Sequence, residues 1–343
     1  MWSAPGAIKR NRSHWNVCLR FYDIFNGDAD GICALHQLRL AEPRDAELVT
    51  GVKRDIELLA RVEPRPGDEI TVLDVSLETN RGPLMRMLET GVRCRYFDHH
   101  FAGAVPSHPL LDAHIDTSPS VCTSLIVDRY LRGKHRAWAV VAAFGDNLPE
   151  SALAAAAELH VSAHDLQLLR ELGECLNYNA YGESVEDLHF HPAELYRRLR
   201  PFADPLVFAA RAPEFDLLRR ACAGDLEQAR TLPVLQRGEG CIAVFMPDEA
   251  WCRRVAGAFA NDLSLRHPAR AVALLVRRQG GYRVSLRAPQ NAAQGIHHLA
   301  RQFDSGSGRE RAAGIQCLPE QDVERLLELV ERTYAAKTPA TGV

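Results

Sequence analysis

The residues with the clearest chemical potential are Asp28 and Asp30, which flank one alanine in FNGDADGIC and are followed by Gly31. Three more acidic positions share their setting. Asp74 lies in TVLDVS, Asp98 opens the triplet Asp98-His99-His100 after VRCRYF, and Asp146 follows AVVAAFG. Residues i and i+2 of an extended chain point the same way, so Asp28 and Asp30 can converge. Gathering four or five carboxylates without a cation is expensive, because like charges force some of them to protonate. Hard divalent cations relieve that cost, and carboxylate with imidazole suits Mn²⁺ or a similar first-row ion better than Ca²⁺. Two such ions about 3.5–4 Å apart would activate a water and clamp a phosphoryl group. Each motif alone has a plainer reading. Asp-x-Asp-Gly is most often a turn, Asp74 could cap a helix, a His-His pair usually packs, and Asp146 could be solvated. Their joint placement at strand ends favours the metal.

The elements that position these residues alternate. NVCLRFYDIF, DEITVLDVS and VRCRYFDHH read as strands. GICALHQLRLAE and PLMRMLETG read as helices, the second stopped by glycine. SVCTSLIVDRYLRG reads as a helix opened by SPS capping and closed by glycine. AWAVVAAFGDN is a helix or a buried strand; periodicity leaves both open. Alternation of this kind predicts an α/β fold, with a parallel sheet covered by helices on both faces. In such a sheet, ligands bind beyond the carboxyl ends of the strands.

Residues 151 to about 225 read as mostly helical. After TLPVLQRGEG the pattern changes again. CIAVFMP, ARAVALLVRRQ and GYRVSLRAP read as strands, EAWCRRVAGAFANDLS and AAQGIHHLARQF as helices, and DVERLLELVERTYA as a last amphipathic helix. KTPATGV reads as a frayed tail. The expected organisation is an extension over 1–20, a catalytic domain over 21–185, a helical connector over 186–229, and a smaller α/β domain over 230–336.

The chain has 343 residues, 46% hydrophobic and 25% charged, as an ordinary globular protein does. A net charge of −3 means that any grip on nucleic acid is local. Nine cysteines form no CxxC, which argues for reduced thiols in a cytoplasm and against a zinc site or disulfide scaffold. No apolar run approaches the roughly 18 residues of a membrane span, and MWSAPGAIKRNRSHW does not read as a secretory signal. A cytoplasmic protein without membrane contact is expected.

GDADG, VLDVS, FDHH and FGDN, in this order, resemble the four motifs of the DHH phosphoesterases. YRVSLRAP followed by SGSGRERAAG resembles the associated DHHA1 domain, so the resemblance covers residues 20 to 335. Members include RecJ exonucleases and nanoRNA/pAp phosphatases. The resemblance implies two Mn²⁺ ions, or Mg²⁺ or Co²⁺ in their place. Asp28 and Asp30 would each ligate one ion, Asp74 would bridge both, and His99 and Asp146 would hold the second. His100 would stabilise or protonate the scissile phosphate, and Asp98 would orient the histidines. Arg287 would bind phosphate, and the loop Gly306-Ser307-Gly308 would offer it backbone N–H groups. Ala312-Ala313-Gly314 would close that loop. Ser120, Thr123 and Ser124 fall where the family has a Ser/Thr-rich helix start, and plain N-capping explains them equally.

Two departures stand out. Ile24 occupies the position of the family's histidine four residues before the first aspartate, so the first ion is held more weakly, or completed by Asn26 or water. Arg309 replaces the loop histidine and Ser307 a glycine, which suits phosphate binding but not proton transfer. The expected substrate is a short single-stranded oligonucleotide released as 5′-mononucleotides. The alternatives are pAp, a cyclic dinucleotide or polyphosphate, or a nucleotide-binding protein with a decayed site. In LNYNAYGESVEDLHFHPAEL a base could stack on Tyr178 or Tyr181, although a packed connector is the preferred reading. Arg39, Lys53 and Arg54 form no interpretable patch. Oligomeric state is not legible.

Overall fold

Five short strands pair side by side: β1 (Phe21–Phe25), β2 (Glu47–Val49), β3 (Glu69–Leu73), β4 (Arg93–Asp98) and β5 (Leu111–Ile115). The structure is a computed structural model describing residues 19–290, 292 and 295–335. Both the N-terminal extension up to residue 18 and the KTPATGV tail lie outside the described residues. All strand pairs of this sheet are parallel, in the order β2-β1-β3-β4-β5. From β1 the chain goes outward to β2 and then crosses back to β3 on the other side. The switch point therefore falls between β1 and β3, where an open crevice forms in such sheets.

Register explains the two apolar faces. Phe25, Leu73 and Phe97 lie level across three strands and point into one core, while Ile24, Val72 and Tyr96 lie level and point into the other. Helices α1 (Ala29–Ala41), α3 (Thr123–Tyr130) and α4 (Arg136–Gly145) cover the first face. Helix α2 (Leu77–Glu89) covers the second through Leu77, Leu84, Met87 and Leu88. It begins at Leu77 under a Ser76 cap, six residues before Pro83, where the sequence pattern suggested a start. The undecided stretch AWAVVAAFG is α4, buried from Trp138 to Gly145. That all-round burial is why its apolar residues show no period.

Helices α5 (Pro149–Ala156), α6 (Ala163–Ala180), α7 (Pro192–Leu199), α8 (Pro205–Arg211) and α9 (Pro213–Arg230) follow, as the helical composition predicted. A second sheet has the order β10-β11-β9-β8-β7-β6. Its strands are β6 (Leu235–Arg237), β7 (Cys241–Met246), β8 (Ala271–Arg278), β9 (Gly281–Arg287), β10 (Gly306–Gly308) and β11 (Ala312–Leu318). Only β7 and β8 run parallel, joined through α10 (Ala250–Arg266). Two further helices, α11 (His297–Ala300) and α12 (Val323–Tyr334), complete this half. One core cluster runs from Phe25 through α1, α4, α6 and α9 to Val244, Phe259 and Leu274, so the same apolar interior supports both sheets. The fold is the expected parallel-sheet unit, helical connector and smaller α/β unit.

Candidate metal centre

The carboxylates gather at the β1/β3 switch point, and each has a local reason to be there. Asp28 ends the turn after β1 and caps α1: its Oδ1 accepts the backbone N–H groups of Asp30 and Gly31, both at 3.0 Å. Asp30, one turn position on, is fully buried. Its carboxylate accepts the N–H groups of Thr123 and Ser124, both at 2.7 Å, at the start of α3. This corrects the expected SPS cap: the N-cap residue is Cys122, which makes no side-chain bond, and Asp30 does the capping from another helix. Thr123 also donates its hydroxyl to Asp74 Oδ1 at 3.1 Å. Ser120 only accepts at its carbonyl from the Ser151 hydroxyl.

Asp74 turns out of β3 in the left-handed region, with φ of 59°. Side chains other than Gly, Asn and Asp rarely adopt that conformation. Its N–H donates to Phe97 O at 3.0 Å, extending the β3–β4 ladder by one bond. Asp98, at the end of β4, is fully buried and accepts from the N–H groups of Leu77, His99 and His100 and from His100 Nδ1 at 2.7 Å. It thus fixes the His100 ring, while the His99 ring is fixed elsewhere. His99 Nδ1 lies 2.9 Å from Val121 O. A carbonyl only accepts, so Nδ1 carries hydrogen and Nε2 faces the carboxylates. His99 Nε2 stands 3.4 Å from Asp74 Oδ1 and 3.9 Å from Asp146 Oδ2. Asp146 sits at the C-cap of α4, where the helix dipole is negative and a cation is favoured.

The electrostatics reflect crowded negative charge. Burial, then Asp30 and Asp28, push the Asp74 carboxyl well above the usual range. Burial also raises Asp146, with Asp30 and Asp28 adding to it against the pull of Lys53. His99 is driven up to about 10: burial opposes the charge, but Asp74, Asp30 and Asp146 outweigh it. Asp28 behaves differently. Burial would raise it, yet the Lys53 ammonium and the Gly31 N–H hold it below the usual range.

Among the described residues, Asp30, His99 and Asp146 form one group whose ligand atoms could surround a cation, and Asp74, His99 and His100 form another. Both share His99, and both draw on donors suited to a first-row divalent ion. These residues fit one such cation. The position expected for the first ion, beside Asp28, does not fit a second cation. Ile24 is fully buried in the core on the α2 face. Asn26 Oδ1 already accepts the Asp28 N–H, and its Nδ2 donates to Lys53 O. Asp28 Oδ2 already faces a cation, Lys53 Nζ.

Lys53 is the residue that sequence reasoning missed. The cluster faces a cavity of about 600 Å³ lined by Asn26, Asp28, Lys53, Asp74, His99 and His100, with Phe101, Asp146 and Arg309 also on its wall. Among the described residues, Arg309 alone represents the second half on that wall. Phe101, directly after the triplet, is 77% exposed. Arg287 lies at the end of β9, where Nε donates to Asn261 Oδ1 at 2.7 Å and Nη2 to Gly257 O at 3.3 Å. Gly306-Ser307-Gly308 is a short edge strand paired with β11, not a loop. A Cβ at Gly306 would stand 1.7 Å from Ala300 O, so close backbone approach fixes that glycine. Ala312–Gly314 belongs to β11. Tyr178 is buried and its hydroxyl bonds His189, Asp225 and Arg254, so it is a connector residue and offers no stacking face. Arg39 pairs with Asp23, away from the cavity.

No family model matches the sequence, and no curated protein matches it. Solved structures do. An exonuclease RecJ bound to manganese superposes with a TM-score of 0.59 over 93% of this chain and 91% of its own, at 19% identity. The DHH domain of a protein assigned to a family of ribosomal proteins gives 0.60 over 92% and 86%, at 14% identity. PggH from Vibrio cholerae, a pGpG-specific phosphodiesterase, gives 0.53 over 92% and 100%, at 13% identity. The chain has the fold of the RecJ and DHH-domain proteins, as the motif resemblance implied. No helix among the described residues is long and apolar enough to cross a membrane.

Proposed function

We propose that this protein is a divalent-metal-dependent phosphoesterase that hydrolyses short oligonucleotides to 5′-mononucleotides, with Mn²⁺ as the preferred ion. The observation that carries this reading is the convergence of Asp74, His99 and Asp146 in a cavity at the sheet's switch point, with Asp30 close to His99 and Asp146 beneath them. The fold shared with a manganese-bound exonuclease and a pGpG-specific phosphodiesterase supports it. A cation held by those four residues would supply an activated water and charge neutralisation at phosphorus. Asp98 holds the His100 ring, which is 42% exposed and placed to donate a proton or hydrogen bond to the phosphate. Residues 21–185 carry this chemistry, residues 186–229 connect, and residues 230–336 hold the substrate. Arg309, Arg287 and the Gly306–Gly308 edge are the phosphate-binding elements. We place the protein in the cytoplasm, where its thiols stay reduced.

The cavity volume suits a small ligand better than a long strand. Arg309 in place of a histidine favours a substrate with more than one phosphate, so pAp, a cyclic dinucleotide or polyphosphate is the second reading. The test is turnover of a 5′-phosphorylated dinucleotide, a longer single strand, pAp, a cyclic dinucleotide and polyphosphate, with Mn²⁺ and with EDTA. Mononucleotide release from the dinucleotide, lost in EDTA, is expected. Absence of metal-dependent turnover on every substrate would overturn the reading.

A further inference from the structure

The family resemblance implies two ions, but the position expected for the first, beside Asp28, already holds a positive charge. Lys53 Nζ contacts three oxygens: Asp28 Oδ2, Asp146 Oδ1 at 3.3 Å and Asn177 Oδ1 at 3.3 Å. An ammonium has three N–H donors, and all three are used. The backbone is equally fixed. Lys53 N donates to Ala180 O at 2.9 Å, and its carbonyl accepts from Asn26 Nδ2 at 3.2 Å. The loop carrying Lys53 comes close enough to the Asp28 turn to require glycine. A Cβ at Gly27 would stand 2.0 Å from Gly51 O.

We propose that Lys53 is a built-in cation standing where the first ion is expected, so that the chain binds a single divalent ion, at Asp30, Asp74, His99 and Asp146. The proposal rests on the metal-dependent reading above. It accounts for the departure at Ile24 and for the bonding of Asn26 and Asp28 together. Ile24 has no ion to ligate and serves the apolar core. Asn26 is free to fasten the Lys53 loop. Asp28 keeps its capping role, because its remaining oxygen needs only an ammonium. Four carboxylates border the site, and one divalent ion with one ammonium supplies three positive charges against them. Unlike an ion, the lysine cannot be lost by dilution or chelation. Its side chain lines the cavity, so the same charge faces an incoming phosphoryl group.

The test is a calorimetric Mn²⁺ titration of the full chain, with electron paramagnetic resonance of the loaded protein. One equivalent per chain is expected, with the resolved hyperfine lines of a magnetically isolated ion. Lys53→Ala is expected to take up a second, weaker equivalent and to show an exchange-broadened spectrum. Two equivalents with a coupled spectrum in the unaltered chain would overturn the proposal and leave the phosphoesterase reading standing. A Lys53→Ala chain that still takes one equivalent would overturn the ion-substitution role. No binding in either chain would overturn the metal-dependent reading itself. If the variant fails to fold, the stoichiometry of the unaltered chain decides.

Discussion

Two groups of buried charge lie on either side of Phe25, and they are built on opposite terms. Within β1, Asp23 meets Arg39 of α1: Arg39 Nε donates to Asp23 Oδ2 at 2.9 Å and Nη2 to Thr71 Oγ1 at 3.0 Å. Their side chains are 2% and 4% exposed, and each charge has its counterpart. Just past the end of β1, Asp28, Asp74 and Asp146 share one ammonium and one imidazole, with Asp30 close beside them. Breaking a buried pair leaves an uncompensated charge and is strongly destabilising. Removing one carboxylate from a crowded group relieves repulsion instead. The comparison separates residues kept for the fold from residues kept for a ligand, although both are acidic and buried.

The sharpest way to test this contrast is Asp74→Asn, since asparagine tolerates the left-handed backbone that Asp74 adopts. Turnover should fall on the order of a thousandfold or more, while the metal-free protein unfolds at equal or higher denaturant concentration. The mirror experiment is Arg39→Met. It should cost about 3–5 kcal/mol in chemical denaturation and leave the Mn²⁺ stoichiometry unchanged. A stable Arg39→Met protein would break the comparison from the structural side.

Acidity offers a third test. His99 is held up to about 10 in the folded protein, above its ordinary value of 6.5, so the folded state binds more protons than the unfolded one. Its contribution is fully present below about pH 6.5 and is lost as pH rises towards 10. The metal-free protein should therefore melt at a lower temperature at pH 9 than at pH 7, by on the order of 5 °C. Saturating Mn²⁺ should remove or reverse that slope, because binding displaces the His99 proton. The smallest effect concerns the exposed ring beside the site. Phe101→Ala should raise KM for a dinucleotide by about tenfold, in line with stacking worth about 1–3 kcal/mol per base. It should leave kcat, and KM for polyphosphate, nearly unchanged.

Much of this was legible in the sequence. The strands bearing Asp28, Asp74 and Asp98 were readable because each has an apolar run ending in a carboxylate. The edge strands β2 and β5 were not: ELV has only three residues, and none of the five residues of LDAHI is fully buried. The α4 helix could not be told from a strand, since every residue from Trp138 to Gly145 is buried. Gly306–Gly308 reads as a loop from composition, and only pairing with β11 makes it a strand. Lys53 carried no signal at all. Its partners Asp28, Asp146 and Asn177 lie 25, 93 and 124 residues away, so only the folded chain brings them together.

The bond from Asp30 to the first N–H groups of α3 has a consequence for how the protein can change. One carboxylate faces the ion site and also seats a helix that begins 93 residues later. Exchange for asparagine would replace one charged oxygen with a donor that repels the α3 amides. Exchange for glutamate would lengthen the reach by a methylene and displace the helix start. Asp30 is therefore doubly constrained, and lineages that abandon the chemistry should still retain this aspartate after Asp74 and Asp146 have drifted.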